Sequence, residues 1–214
     1  MVYRQTENTL AKKAGTRARI LKEARMLVSR GGFNAAAVAP VAKHSGIATG
    51  TIYRHFPSKA ELVAEVFKHA TEHELSAVVA ATQIDAPAVE RLKRGVETFS
   101  IRALKAPRLA YALIAEPVDP LVEKERLSYR LAYAEAFEDL INDGIRSEEF
   151  VPQSASVTSA ALVGMLAEAL VGPLSPHALT DDPEADVQPL DEKEQQDLLD
   201  DIVALALRVV GAKH

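Results

Sequence analysis

An all-α fold follows from three features of this sequence. Apolar residues recur at helical spacing in nearly every long segment, alanine is abundant while aromatics make up only 5%, and no stretch shows strand-like alternation. Hydrophobic residues form 48% of the 214, enough for a proper core, and one or two domains are expected at this length. There is no cysteine, which excludes disulfides and Cys-ligated zinc. The opening residues, Met1 to Glu7, lack the apolar run of a signal peptide. The most hydrophobic window, Ala160 to Gly172, is short and carries Glu168, which argues against a membrane span. A cytoplasmic protein is the expectation.

About nine helices are expected. Residues 1–15 read as a flexible basic arm with Arg4, Lys12 and Lys13. The first helix is expected from near Thr16 as N-cap, with Ile20, Leu21, Ala24, Leu27 and Val28 on one face. Gly31-Gly32 reads as its stop, and Phe33 as an apolar plug beneath it. A short helix follows over Val38 to His44, with Pro40 tolerated in its first turn, then a break at Gly46. Another short helix is expected over Thr49 to His55, ended by Phe56-Pro57. Ser58-Lys-Ala-Glu61 has the form of a capping box opening a long helix to about Ala81.

Asp85-Ala-Pro-Ala marks the next start, and Val89, Leu92, Val96, Phe99 and Ala103 keep one apolar face to Leu104. Pro107 opens a short helix ending by Pro117. The long helix from Pro120 to Ile145 is expected to build on Leu127, Leu131, Ala134, Phe137 and Ile141. Pro152 and Ser154 precede a nearly all-apolar helix expected to run to Val171. Residues 173–191 hold four prolines and several aspartates and read as an exposed acidic loop. The last helix is expected over Asp191 to Val210.

The net charge of −5 conceals a polarity. Residues 1–59 carry eleven Lys or Arg against Glu7 and Glu23, a balance of +9, while the remainder carries fourteen basic and 28 acidic residues, or −14. A basic end on an acidic body fits a polyanion partner, or merely a basic tail with solvated faces.

Two short helices about a glycine turn, then a step into a long helix, have the form of a helix-turn-helix. Ala42 permits a close crossing, Gly46 the tight turn, and Val38, Val41, Ile47 and Ile52 a miniature core. The stretch Thr16-Arg-Ala-Arg-Ile-Leu, Gly31-Gly-Phe, Val38, Val41-Ala42, Ser45-Gly46-Ile47 and Gly50-Thr-Ile-Tyr-Arg-His-Phe-Pro-Ser-Lys59 resembles the tetracycline-repressor (TetR) family of transcriptional regulators. The resemblance covers about residues 16–70.

It implies a DNA-binding domain over 16–60 and a ligand-binding and dimerisation domain over 61–214, with the third helix in the major groove. Thr49 and Thr51 would then meet base edges, Gly50 would let the backbone approach, and Tyr53, His55 and Lys59 would hold phosphates. Arg54 is suited to either base or phosphate. Arg17 and Arg19 would add salt-sensitive attraction. The sequence departs from the family at Ala37 and Ala48, where Ser or Thr often caps a helix, and at Ala39, which cannot hydrogen-bond a base.

The resemblance also implies that the last two helices pair two copies. Small residues Ala160, Ala161, Gly164 and Ala167 allow close approach, and Leu198, Ile202, Leu205 and Val209 offer the facing stripe. A two-fold homodimer predicts a pseudo-palindromic duplex operator. The middle helices would enclose a small-molecule effector of unknown identity among Phe67, Leu92, Phe99, Tyr111, Ile114, Tyr129, Tyr133, Phe137 and Met165, with Glu116, Arg130 and Glu168 as polar anchors. Bound effector would release the operator.

His69 and His73 with Glu72 lie one turn apart but lack a third ligand, so no metal or cofactor is expected. No catalytic constellation stands out, which disfavours a helical enzyme. A DNA-architectural protein without sequence preference and an activator rather than a repressor remain as alternatives.

Overall fold

The computed structural model describes residues 7–175 and 190–213, and every element among them is helical. The helices are α1 (Glu7–Ala35), α2 (Val38–His44), α3 (Thr49–Tyr53), α4 (Lys59–Thr82), α5 (Ala88–Lys105), α6 (Pro107–Ile114), α7 (Pro120–Arg146), α8 (Ala155–Leu174) and α9 (Glu192–Val209). Most of the expected acidic loop, residues 176–189, lies outside the described residues, as do residues 1–6.

Two boundaries differ from expectation. The helix expected from Thr16 begins at Glu7, so residues 7–15 are helical rather than a flexible arm. Thr16 caps nothing; its hydroxyl donates back to the Lys12 carbonyl at 3.0 Å. Nothing between Leu10 and Ala14 breaks a helix, and an apolar stripe is not needed where a neighbouring turn propagates the hydrogen-bond ladder. At its far end α1 is interrupted by Gly31 (φ −150°, ψ 24°) and Gly32 (φ 70°, ψ −171°), after which helical turns resume to Ala35.

Two apolar clusters organise the chain. The first joins α1 to α4 and α6 through Ile20, Ala24, Val28, Phe33, Val41, Ile52, Phe56, Leu62, Phe67 and Leu109. The second joins α5, α7, α8 and α9 through Leu92, Val96, Phe137, Leu140, Ile141, Leu162, Leu166, Leu170 and Ala206. Leu127 and Leu131, expected in the core, are about 60% exposed, whereas Phe137 and Ile141 of the same expected set are buried; α7 also buries Val122, Arg126, Tyr133 and Leu140. Both stripes satisfy helical spacing, and the winning one includes a charge that its surroundings satisfy.

Helix ends follow local chemistry. The Ser58 hydroxyl accepts from the Glu61 amide at 3.1 Å, one half of the expected box, while Asp191 and Glu194 complete a reciprocal box at the start of α9. Glu149, from the turn after α7, takes the Ala88 and Val89 amides at 3.0 and 2.9 Å and so caps α5 across the fold. Among the described residues one helix, α8, is long and apolar enough to cross a membrane by composition, but Leu162, Leu166, Leu170 and Leu174 are buried in the second cluster.

Candidate nucleic-acid interface and effector cavity

The turn between α2 and α3 is set by Gly46, whose φ of 64° is a conformation that L side chains resist. The Ile47 amide reaches back to the Ala42 carbonyl at 3.1 Å, and Val38, Val41 and Ile52 are buried beneath the pair. That packing turns Thr49, Gly50, Tyr53 and Arg54 outward, with Thr51 half-buried. Tyr53 is 48% exposed. Arg19 and Lys59 also lie at the surface. α3 itself ends at Tyr53, two residues short of the expected end at His55. Neither Ala37 nor Ala48 supplies a side-chain cap; the Thr51 amide in the first turn of α3 bonds the Ala48 backbone carbonyl at 2.8 Å.

Two of the expected DNA contacts are placed otherwise. The Arg17 guanidinium pairs with Glu65 at 2.5 Å and stacks over the Phe56 ring at 4.8 Å, bracing α1 against α4. His55 is half-buried at the seam with α4, and its Nδ1 is sealed without a partner. Burial, with Lys13 and Arg17 adding to it, draws its imidazole below the usual value. His55 follows α3's C-terminal end inward because Phe56 is anchored in the core, and Arg17 lies over that same ring from α1.

A cavity of about 100 Å³ lies between α4, α5, α6, α7 and α8. Phe67, Phe99, Ile114, Tyr129, Tyr133 and Arg130 line it. Leu92 and Phe137 do not; both are fully buried in the second cluster. Tyr111 and Met165 pack at the edge of that cluster without reaching the cavity wall. Glu168 is exposed on α8, and Glu116 is engaged elsewhere.

Sequence reasoning missed Thr71, Glu74, Arg102 and Arg126 on this wall. Arg102 donates to Glu74 at 2.5 Å, so that pair is neutralised. Arg126 pairs with Glu123 and donates to the carbonyls of Leu113, Ala112 and Glu116 at 3.0, 3.2 and 2.7 Å. Burial pulls its guanidinium down from the ordinary value, with Glu123 opposing. The Tyr129 hydroxyl donates to Glu72 at 3.0 Å, which occupies the carboxylate between His69 and His73. No cluster of three metal-ligating side chains occurs among the described residues.

On the proposed dimer face, α8 leaves Ala160, Ala161 and Gly164 exposed, and α9 leaves Leu205 exposed, with Leu198 and Val209 partly so. Ile202 is a correction. It is buried within its own chain, where α9 packs chiefly on α5.

Residues 20–66 match the family model described as bacterial regulatory proteins, tetR family. Over 144 residues the chain is 26% identical to the HTH-type transcriptional repressor KstR2 of Rhodococcus jostii, covering 64% of this chain and 69% of that protein. It is 34% identical to the HTH-type transcriptional regulator UidR of Escherichia coli K12 over 70 residues, 33% of this chain and 36% of UidR. The fold aligns with FadR of Bacillus subtilis, solved in complex with stearoyl-CoA, at a TM-score of 0.70 and 18% identity over 92% of this chain and 99% of FadR. FadR of Bacillus halodurans gives 0.72 at 17% identity over 92% and 97%. Residues 20–66 thus carry the helix-turn-helix of the tetR-family regulators, and the chain is similar to transcriptional regulators of that family.

Proposed function

We propose that the protein is a repressor that binds a pseudo-palindromic operator as a homodimer and leaves it when a small molecule fills the cavity between α4 and α8. Residues 16–60 form the DNA-reading unit in this reading and residues 61–214 the effector and dimerisation unit. It acts in the bacterial cytoplasm, on the nucleoid. The observation that carries it is the outward strip of Thr49, Gly50, Tyr53 and Arg54 on a module whose α1 packs on α6, a wall of that cavity. Thr49 and Thr51 suit base edges, and Arg19, Arg54 and Lys59 suit phosphates, with neutralisation giving a salt-sensitive affinity.

The effector class favoured is a long apolar acyl compound. Most of the cavity wall is carbon, Arg102 is already neutralised by Glu74, and Arg130 stands exposed at the mouth, where an anionic end would meet it. The stearoyl-CoA held by B. subtilis FadR is such a molecule. A ligand favouring protomers whose recognition helices are misplaced would lower operator affinity by that preference and no more.

The test is selection of genomic fragments by the purified protein, footprinting, and titration of the complex with stearoyl-CoA. A two-fold-related footprint that survives random competitor, and dissolves as stearoyl-CoA is added, supports the reading. Equal affinity for random duplex ends it.

A further inference from the structure

The Gly31–Gly32 interruption leaves the Phe33 amide without an intrahelical acceptor. The acceptor it finds lies 83 residues away: both carboxylate oxygens of Glu116 receive it, at 3.1 and 3.0 Å. The fit is close from the other side too, since a Cβ on Gly32 would stand 2.5 Å from Glu116 Oε2. Glu116 follows the end of α6, and its carbonyl, with those of Ala112 and Leu113, is held by Arg126. Arg126 in turn lines the cavity and lies 5.9 Å from the Phe67 ring. Phe67 also lines the cavity, and its ring centroid is 6.2 Å from that of Phe33. Phe33 is therefore touched at its backbone through Glu116 and at its ring through Phe67, and both routes begin at the cavity wall.

We propose that Glu116 is the positioning residue through which the cavity sets the DNA-binding module. With the cavity empty, Arg126 gathers the end of α6, and Glu116 fixes the α1 break and hence the α2–α3 pair that packs against α1. An occupant that displaces Arg126 or the α6 residues Leu109, Leu113 and Ile114 draws the carboxylate off the Phe33 amide. The break then loses this charged acceptor, and the recognition helix loses its fixed bearing. The coupling is a free-energy link between two sites through a named pair, with each state distinguished by one hydrogen bond. It rests on the reading above that α3 meets DNA and that the cavity holds the effector.

The test compares the full-length parent with Glu116→Ala and Glu116→Gln, the latter keeping one carbonyl acceptor without the charge. Hydrogen exchange at the Phe33 amide should quicken by about tenfold or more in the alanine variant, the size expected for losing a bond to a charged acceptor, while Ile20 and Ala24 stay protected. Operator affinity should fall in the alanine variant and recover in part with glutamine. The ratio of operator affinities without and with stearoyl-CoA should shrink toward one in the same order. A purely structural Glu116 would lower stability without moving that ratio. An alanine variant that keeps the parental Phe33 exchange overturns the proposal, as does one with a parental ratio. A parent indifferent to stearoyl-CoA instead removes the effector class proposed above, and the exchange and operator-affinity measurements then decide the latch by themselves.

Discussion

At the scale of single residues, space and backbone conformation make separable demands. A methyl added at Gly46 meets nothing within 4 Å, so only its φ of 64° resists substitution. Gly46→Ala should lower stability by about 1 kcal/mol, read as a reduced urea midpoint at unchanged slope. Gly144 is the converse: its φ is ordinary, but a Cβ would overlap the fully buried Phe150 ring, so Gly144→Ala should cost about 1–3 kcal/mol. Charges separate in the same way. Arg54 is exposed and without a protein partner in the helix-turn-helix, so Arg54→Ala should weaken DNA binding and reduce its log–log salt slope by about one. Arg17 is held by Glu65 and Phe56, so Arg17→Ala should lower stability and leave that slope nearly unchanged. His55 adds a pH dependence. Its folded value lies below 6.5 because burial and two neighbouring cations disfavour the imidazolium. The unfolded chain therefore binds more protons in that window, so stability is full above pH 6.5 and declines as pH falls below it. The difference between parent and His55→Asn stability curves should open only on the acid side; a difference constant with pH would refute the assignment.

At the scale of elements, the sequence departures at Ala37 and Ala48 become opportunities. Ala48 has the extended backbone of an N-cap (φ −71°, ψ 147°) but no oxygen to offer. Ala48→Ser should raise stability by about 1 kcal/mol, and it adds a hydroxyl beside the proposed phosphate path. Thermal unfolding with and without an operator duplex separates the two gains. Helix positions were legible from periodicity and from proline, glycine and capping residues; α2 begins and ends where Val38 and His44 predict. Which stripe faces inward was less legible. On α7 the run with Leu127 and Leu131 reads as the core, yet the face with Arg126 is buried. An arginine is affordable there because three carbonyls at the end of α6 satisfy it beside the neighbouring Glu123 carboxylate, and no local pattern on α7 announces those carbonyls. The Glu116–Phe33 contact was hidden for the same reason. The outward strip of α3 was readable because its signal is contained within ten residues, whereas a cavity wall assembled from five helices is not.

At the scale of the whole molecule, the proposed dimer decides how two recognition helices are spaced. α8 presents Val157, 67% exposed, with Ala160, Ala161 and Gly164 in successive turns, and Leu205 of α9 adds a larger apolar group. A Cβ on Gly164 meets nothing within 4 Å of its own chain, so a large substituent there leaves the protomer undisturbed. Across a two-fold axis the same patch meets its own copy, so Gly164→Arg would set bulk and like charge on both sides of one contact. The expected result is a monomer by sedimentation equilibrium, with helical content by circular dichroism retained and thermal unfolding no longer dependent on protein concentration. Operator affinity should fall by about a hundredfold or more, because the second half-site contact ceases to be intramolecular. Binding to an isolated half-site should be nearly unchanged, which separates lost pairing from a damaged helix-turn-helix. A Gly164→Arg protein that stays dimeric with parental operator affinity would move the interface off this face of α8, and with it the spacing that makes the operator two-fold.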